Sequence, residues 1–230
     1  MTSKPAVGIR ARARAEMTAE IKRIARAHLA AEGPDLSLRA VARDLGVVSS
    51  AVYRYFESRD ALLTALIIDG YDSLAAAVEQ AEATVPRRDL VGRWMATGRA
   101  IRSWSLERPH EYALLYGSPV PGYAAPQDTI GPATRPVWVL TAILRDGVEG
   151  GVLSASDRLP RPVRTDLERL TADPGFAGIP AGVLARGMTA WALLFGTLSF
   201  ELFGRLTNGI TDYATYFDHQ LKAMASYLGL

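Results

Sequence analysis

Residues 37–56 read Ser-Leu-Arg-Ala-Val-Ala-Arg-Asp-Leu-Gly-Val-Val-Ser-Ser-Ala-Val-Tyr-Arg-Tyr-Phe. This run and the residues just after it gather groups suited to one chemistry. Ser49 and Ser50 carry hydroxyls, Tyr53 and Tyr55 carry phenols, and Arg39, Arg54 and Arg59 carry guanidinium groups. Such groups bond phosphate oxygens and the edges of bases in a nucleic-acid groove. Tyr53 and Arg59 are expected to meet phosphates, and Arg39, Ser49 and Ser50 to lie nearest the bases or their phosphates. Ala51, Arg54 and Tyr55 complete the expected DNA-binding set.

The remaining residues of the run can position that set. Ser37 can cap a first short helix. Ala42 is small where two helices must cross closely. Gly46 stands where the first helix must end, in a left-handed conformation that only glycine adopts cheaply. Val52 can face back onto the first helix, so Leu38, Val41, Leu45, Val52 and Phe56 form one apolar set. This is the layout of a helix-turn-helix, whose second helix enters the major groove. A short helical hairpin with a glycine turn also serves elsewhere as a plain packing unit.

The flanks favour the DNA-binding alternative. Residues 18–33 form an amphipathic helix with a glycine stop, and residues 53–63 run into another capped helix at Ser58. Over residues 10–80 the chain resembles the TetR family of bacterial transcriptional regulators. The ordered run of Ala42, Gly46, Tyr53, Phe56, Ser58 and Leu62-Leu63 carries the resemblance. Val48 departs from the family pattern, which has Ser or Thr there to cap the recognition helix. Ser49 is expected to take over the cap and start that helix one residue late. The resemblance implies an all-α fold, pairing into a homodimer, and double-stranded operator DNA as partner.

Bulk properties remove other functions. The chain has 230 residues and no cysteine, which excludes thiol nucleophiles, disulfides and Cys-based zinc sites. His28, His110 and His219 lie far apart and show no metal-ligand spacing. No cofactor motif, Gly-rich phosphate loop or Ser-His-Asp constellation is present. Ser118 lacks the nucleophile-elbow pattern. No apolar run reaches the roughly 18 residues that span a bilayer, and Glu201 interrupts the stretch Trp191–Phe203. No membrane partner and a cytoplasmic location are expected. Residues 1–59 hold eleven Lys and Arg against six Asp and Glu, whereas the rest holds fifteen against eighteen. A basic head on a mildly acidic body suits a polyanionic partner.

Helical periodicity runs through the chain, and no segment alternates with the period of a strand. The reading is all-α: a helix-turn-helix domain at 10–58, a connecting helix within 59–86, and a larger helical domain at 87–230 for ligand binding and dimerisation. Helices are expected at 7–32, 38–45, 49–56, 59–82, 90–106, from Pro109, at 133–147, near Arg164–Leu170, at 180–204 and at 211–228. Residues 117–132 are a Pro/Gly-rich loop, and 150–180 are mixed and polar.

The helix around Trp191 is apolar nearly all round, and the last helix carries an apolar stripe. Two copies are expected to pack them as a four-helix bundle through Trp191, Leu198, Phe217, Leu221 and Met224, unless both are simply the core of one subunit. The run 104–117 resembles the TetR subclass named for its Trp, His and Gly, here Trp104, His110 and Gly117. Trp94, Trp104, His110, Tyr112, Tyr116, Trp138 and Phe195 are expected to line an apolar cavity for a small-molecule effector. Ordinary aromatic core, with His110 as a structural residue, is the other reading of these side chains. The leading expectation is a ligand-responsive repressor. Its alternatives are an enzyme acting in the aromatic cavity and a DNA-binding protein without a ligand.

Overall fold

The computed structural model describes residues 4–33, 35–154 and 158–230. All regular structure among them is helical: α1 (Lys4–Glu32), α2 (Leu38–Asp44), α3 (Ser49–Tyr53), α4 (Arg59–Ala83), α5 (Leu90–Glu107), α6 (Pro109–Tyr116), α7 (Ile130–Glu149), α8 (Arg161–Leu170), α9 (Ala181–Leu202) and α10 (Tyr213–Leu228). A short 3-10 turn at Gln127–Thr129 precedes α7. Most elements fall where periodicity places them. The recognition helix is shorter, ending at Tyr53 rather than Phe56. Helix α7 starts at Ile130 rather than Ala133, so Pro136 lies inside the helix instead of its first turn. Of the Pro- and Gly-rich 150–180 stretch, residues 155–157 lie outside the described residues.

The chain forms two compact units that do not follow the linear division. One comprises residues up to Gly70 together with His110–Thr129; the other comprises Tyr71–Pro109 and Ile130–Leu230. Helix α4 supplies residues to both.

In the first unit, Ile21, Ile24, Ala25 and Leu29 of α1 meet Leu38, Val41 and Ala42 of α2, Val52 and Phe56 after the turn, and Leu62, Leu63 and Leu66 of α4. The expected apolar set is therefore buried, with Leu45 only partly so. Helix α6 and the segment after it join this core unexpectedly. Val120 is buried in it, Leu114 and Tyr123 pack at its edge, and the Tyr123 and Thr64 hydroxyls hydrogen-bond at 2.9 Å. Leu115 packs against Gly70 of α4. Tyr112 is fully buried, with the Tyr116 ring 5.4 Å away.

The second unit packs α5, α7, α9 and α10 together. Trp94 Nε1 donates to the Leu221 carbonyl at 2.8 Å, tying α5 to α10. Gly98 sits where a Cβ would overlap the Leu221 side chain, so the two helices cross at close range. Arg93 is buried among partners: Glu82 at 2.5 Å, Asp146 at 2.6 Å and the Arg87 carbonyl at 3.0 Å. It joins the end of α4, the start of α5 and the last turn of α7. Burial would raise the Asp146 pKa, but hydrogen bonds from Arg87 and Arg93 hold it below the ordinary carboxylate value. Helices α4 and α9 are long and apolar enough to cross a membrane by length and composition, which corrects the expectation from unbroken apolar runs. In this fold each contributes buried side chains to a core, Leu62, Leu66, Leu74 and Val78 from α4 and Val183, Leu184, Leu194 and Leu198 from α9.

Removing Arg93 would leave two carboxylates without their buried cation. Arg93→Met is expected to lower the unfolding free energy by about 3–5 kcal/mol, measured by urea denaturation. Because the Asp146 pKa is lowered by folding, its contribution is complete above the ordinary carboxylate range and is lost as pH falls through the lowered value. Asp146→Asn should therefore flatten the acid limb of the stability curve.

Candidate nucleic-acid interface and apolar cavity

Helix α3 has only five residues, too few to be stable alone, so its neighbours must fix its orientation. The turn before it is closed by two backbone bonds at 3.0 Å, Val47 N–H to Ala42 C=O and Gly46 N–H to Arg43 C=O. Gly46 has φ +73°, the left-handed conformation that this helix end requires. The Ser37 hydroxyl accepts from the Ala40 amide and caps α2. Val48 occupies the N-cap of α3, provides no side-chain cap, and is 71% exposed. The helix begins at Ser49, so Ser49 does not take over the cap as expected; it is already the first helical residue.

Val52 is fully buried and anchors α3 to the core. This orientation leaves Ser50, Tyr53 and Arg54 exposed, Ser49 and Ala51 half-buried, and Arg39 exposed on α2. Tyr55 stands apart from this group. It packs at the edge of the core, with the Arg14 guanidinium 5.1 Å from its ring centre. Arg14 also donates to the Arg54 carbonyl at 3.3 Å. Arg14 of α1 thus braces the end of the recognition helix, and Arg10 and Arg12 lie on the same helix. Arg59 is half-buried and lies 3.5 Å from Asp60. Sequence reasoning missed a second brace. His28 of α1 donates from Nε2 to the Asp44 carboxylate at 2.7 Å, fastening the last residue of α2. That bond, then one from Arg43, holds the Asp44 pKa below its ordinary value.

A cavity of about 390 Å³ lies in the second unit. Trp94, Val137, Leu140, Leu144, Phe176, Leu184, Met188 and Trp191 supply most of its wall. Its polar side chains are few and engaged: Thr141 donates to the Trp138 carbonyl at 3.1 Å, and the Trp94 indole donates to Leu221. Among the described residues, no charged one lines it.

The aromatic residues expected at one cavity are dispersed. Trp94 alone of them lines it. Trp104 is buried with its indole on Ser73 at 3.0 Å, Trp138 packs edge-on against Phe176 and over Gly175, and Phe195 packs on Trp191 at 4.5 Å. His110, Tyr112 and Tyr116 belong to the first unit, with His110 exposed. Helical spacing identifies an apolar stripe but does not tell which core it enters. The expected dimer set also needs correction. Leu198, Phe217, Leu221 and Met224 are each no more than 3% exposed within one chain, so they are subunit core and offer nothing to a second copy. Trp191 lines the cavity.

Residues 23–66 match the family of bacterial regulatory proteins of the tetR type, and residues 94–224 match the tetracyclin repressor-like C-terminal domain. The chain belongs to the TetR family. The HTH-type transcriptional regulator Rv1816 of Mycobacterium tuberculosis is 40% identical over 226 residues, covering 96% of each chain. The HTH-type transcriptional regulator Mb1846 of Mycobacterium bovis matches to the same extent. Among solved structures, SCO4313 is similar with a TM-score of 0.77 and 33% identity, over 94% of this chain and 98% of that one. The TetR-family regulator PfmR of Thermus thermophilus shares the fold, with a TM-score of 0.60 at 19% identity over 89% and 96%. The present TetR-family protein is therefore a transcriptional regulator and not an enzyme.

The uncapped start of its recognition helix is open to improvement. Val48→Thr should supply the missing side-chain acceptor at little cost, because Val48 is exposed. A gain of about 1 kcal/mol is expected in chemical denaturation. No gain would mean that packing already fixes the start of α3.

Proposed function

We propose that this TetR-family regulator is a cytoplasmic, homodimeric repressor that leaves its operator when a small, uncharged and largely apolar molecule fills the cavity of the second unit. The observation that carries the reading is the cavity lining, which combines apolar side chains with polar groups already engaged by the protein. A charged ligand would lose its hydration there and find no partner. An apolar one would gain from removing its surface and that of the wall from water.

On the DNA side, Arg39, Ser50, Tyr53 and Arg54 form the exposed set, and Ser49 and Ala51 sit at its edge. Each copy would place one α3 in a major groove, and two-fold pairing implies a roughly palindromic operator. The pairing surface in this reading is the exposed face of α9, where Leu193 and Phe200 are about half exposed and Gly196 offers open space for a close approach. The effector acts by binding more tightly to the form whose two heads are wrongly spaced, so its differential affinity sets the loss of DNA affinity. Helix α4, continuous from Arg59 to Ala83, is one of the covalent routes between the unit that reads DNA and the unit that holds the cavity.

Two variants separate the roles. Tyr53→Ala should weaken operator binding by about 1–3 kcal/mol at fixed salt without altering effector affinity. Val137→Trp should fill the cavity and blunt release while operator affinity stays within about twofold, or 0.4 kcal/mol. Release by highly charged compounds alone would overturn the apolar reading. The corrected pairing face is tested by sedimentation: Leu193→Glu should yield a folded monomer, whereas Phe217→Glu should unfold the chain. A wild type that is monomeric at micromolar concentration would remove the dimer.

A further inference from the structure

The cavity is not closed by its own chain. Met188 and Ala192, which line it, are exposed on α9. Leu170, also in the wall, is 40% exposed. An apolar opening of this kind would hold a ligand with one side in water. At 100° per residue, Met188 and Ala192 lie at the border between the cavity side of α9 and its outward stripe of Thr189, Leu193, Gly196 and Phe200. That stripe carries no charge. At Gly196 a Cβ would meet nothing within 4 Å, which marks the place where another helix could come closest.

We infer that a second copy of this chain completes the cavity, with Phe200 of the partner subunit closing its mouth at Ala192. The inference rests on the dimer and effector reading proposed above. If two α9 helices cross antiparallel at Gly196, positions equidistant from it on either side face each other, and Ala192 is opposed by Phe200 four residues beyond. The opening is apolar, and Phe200, 54% exposed, is a large apolar side chain only half covered in its own subunit. The ligand then contacts both protomers, and its occupancy is coupled to the dimer itself.

The chain has no cysteine, so an engineered pair reports this geometry without background. Ala192 and Phe200 are roughly 12 Å apart along one helix and cannot be bridged within a chain. Full-length protomers bearing Ala192→Cys and Phe200→Cys should cross-link on oxidation when mixed, as dimers joining one of each, and neither should cross-link that way alone. Failure of the mixed pair to cross-link in a protein that sediments as a dimer would overturn the inference. A monomeric wild type would instead overturn the dimer reading beneath it.

Function is read with the uncharged dye Nile red. Phe200→Ala should weaken dye binding about tenfold while the protein remains a dimer; should that variant fail to fold or pair, Phe200→Leu takes its place. Heterodimers of Phe200→Ala with Val137→Trp, isolated through two tags, should regain one tight site. The Phe200→Ala protomer retains an open cavity, and its partner retains the closing ring. Intact heterodimers with no tight site would place Phe200 in its own subunit's cavity and refute closure in trans. Cross-linking without any binding of dye to the wild type would leave the pairing standing and remove the apolar effector.

Discussion

The candidate DNA-reading surface depends on the burial of one side chain, Val52. Helix α3 is too short to hold its own shape, and its first turn has no side-chain cap. Its direction is set by Val52 entering a core built from α1, α2 and α4, and by the left-handed turn at Gly46 that delivers the chain to that place. With Val52 buried, Ser50, Tyr53 and Arg54 must point outward. Around this anchor the fold adds two polar braces, His28 on Asp44 and Arg14 on the Arg54 carbonyl. Both connect α1 to the ends of the motif helices, so α1 acts as a support for the motif as well as a wall of its core.

The second unit solves a different problem with the same materials. One ionic cluster lies at the junction of α4, α5 and α7, where Arg93 meets Glu82 and Asp146, and a second pair, Arg102 with Glu201, joins α5 to α9. The space between α7 and α9 is left apolar. Where polarity intrudes, at Trp94 and Thr141, the protein itself supplies the acceptor. The ion pairs fasten the helices without contributing a charged side chain to the cavity wall.

Local elements were legible because their signals are local. Gly46, the cap at Ser37 and the spacing of Leu38, Val41 and Val52 each report a conformation within a few residues, and they place the motif correctly. The expected cap at Ser49 does not form, and α3 starts at Ser49 without a side-chain acceptor at Val48. The assignment of aromatic residues failed for a tertiary reason. Tyr112 and Tyr116 show helical spacing, but that period is blind to which unit the helix joins, and α6 with its loop returns to the head through Val120 and Tyr123. Phe217, Leu221 and Met224 were assigned to a partner because an apolar stripe looks the same whether its cover comes from another chain or, as here, from within its own.

A wall without free donors or acceptors has a consequence for selectivity. Discrimination by hydrogen bonding can reach factors of 10⁴ or more, because the wrong molecule leaves a buried group unpaired, whereas an added or missing methylene in an apolar pocket changes affinity by only about 1–3 kcal/mol. In the proposed role, the cavity near Trp94 and Val137 would rank molecules by volume and shape. A regulator built on it would answer a homologous series in graded fashion, suiting a cell that must sense a class of compounds whose members vary in length.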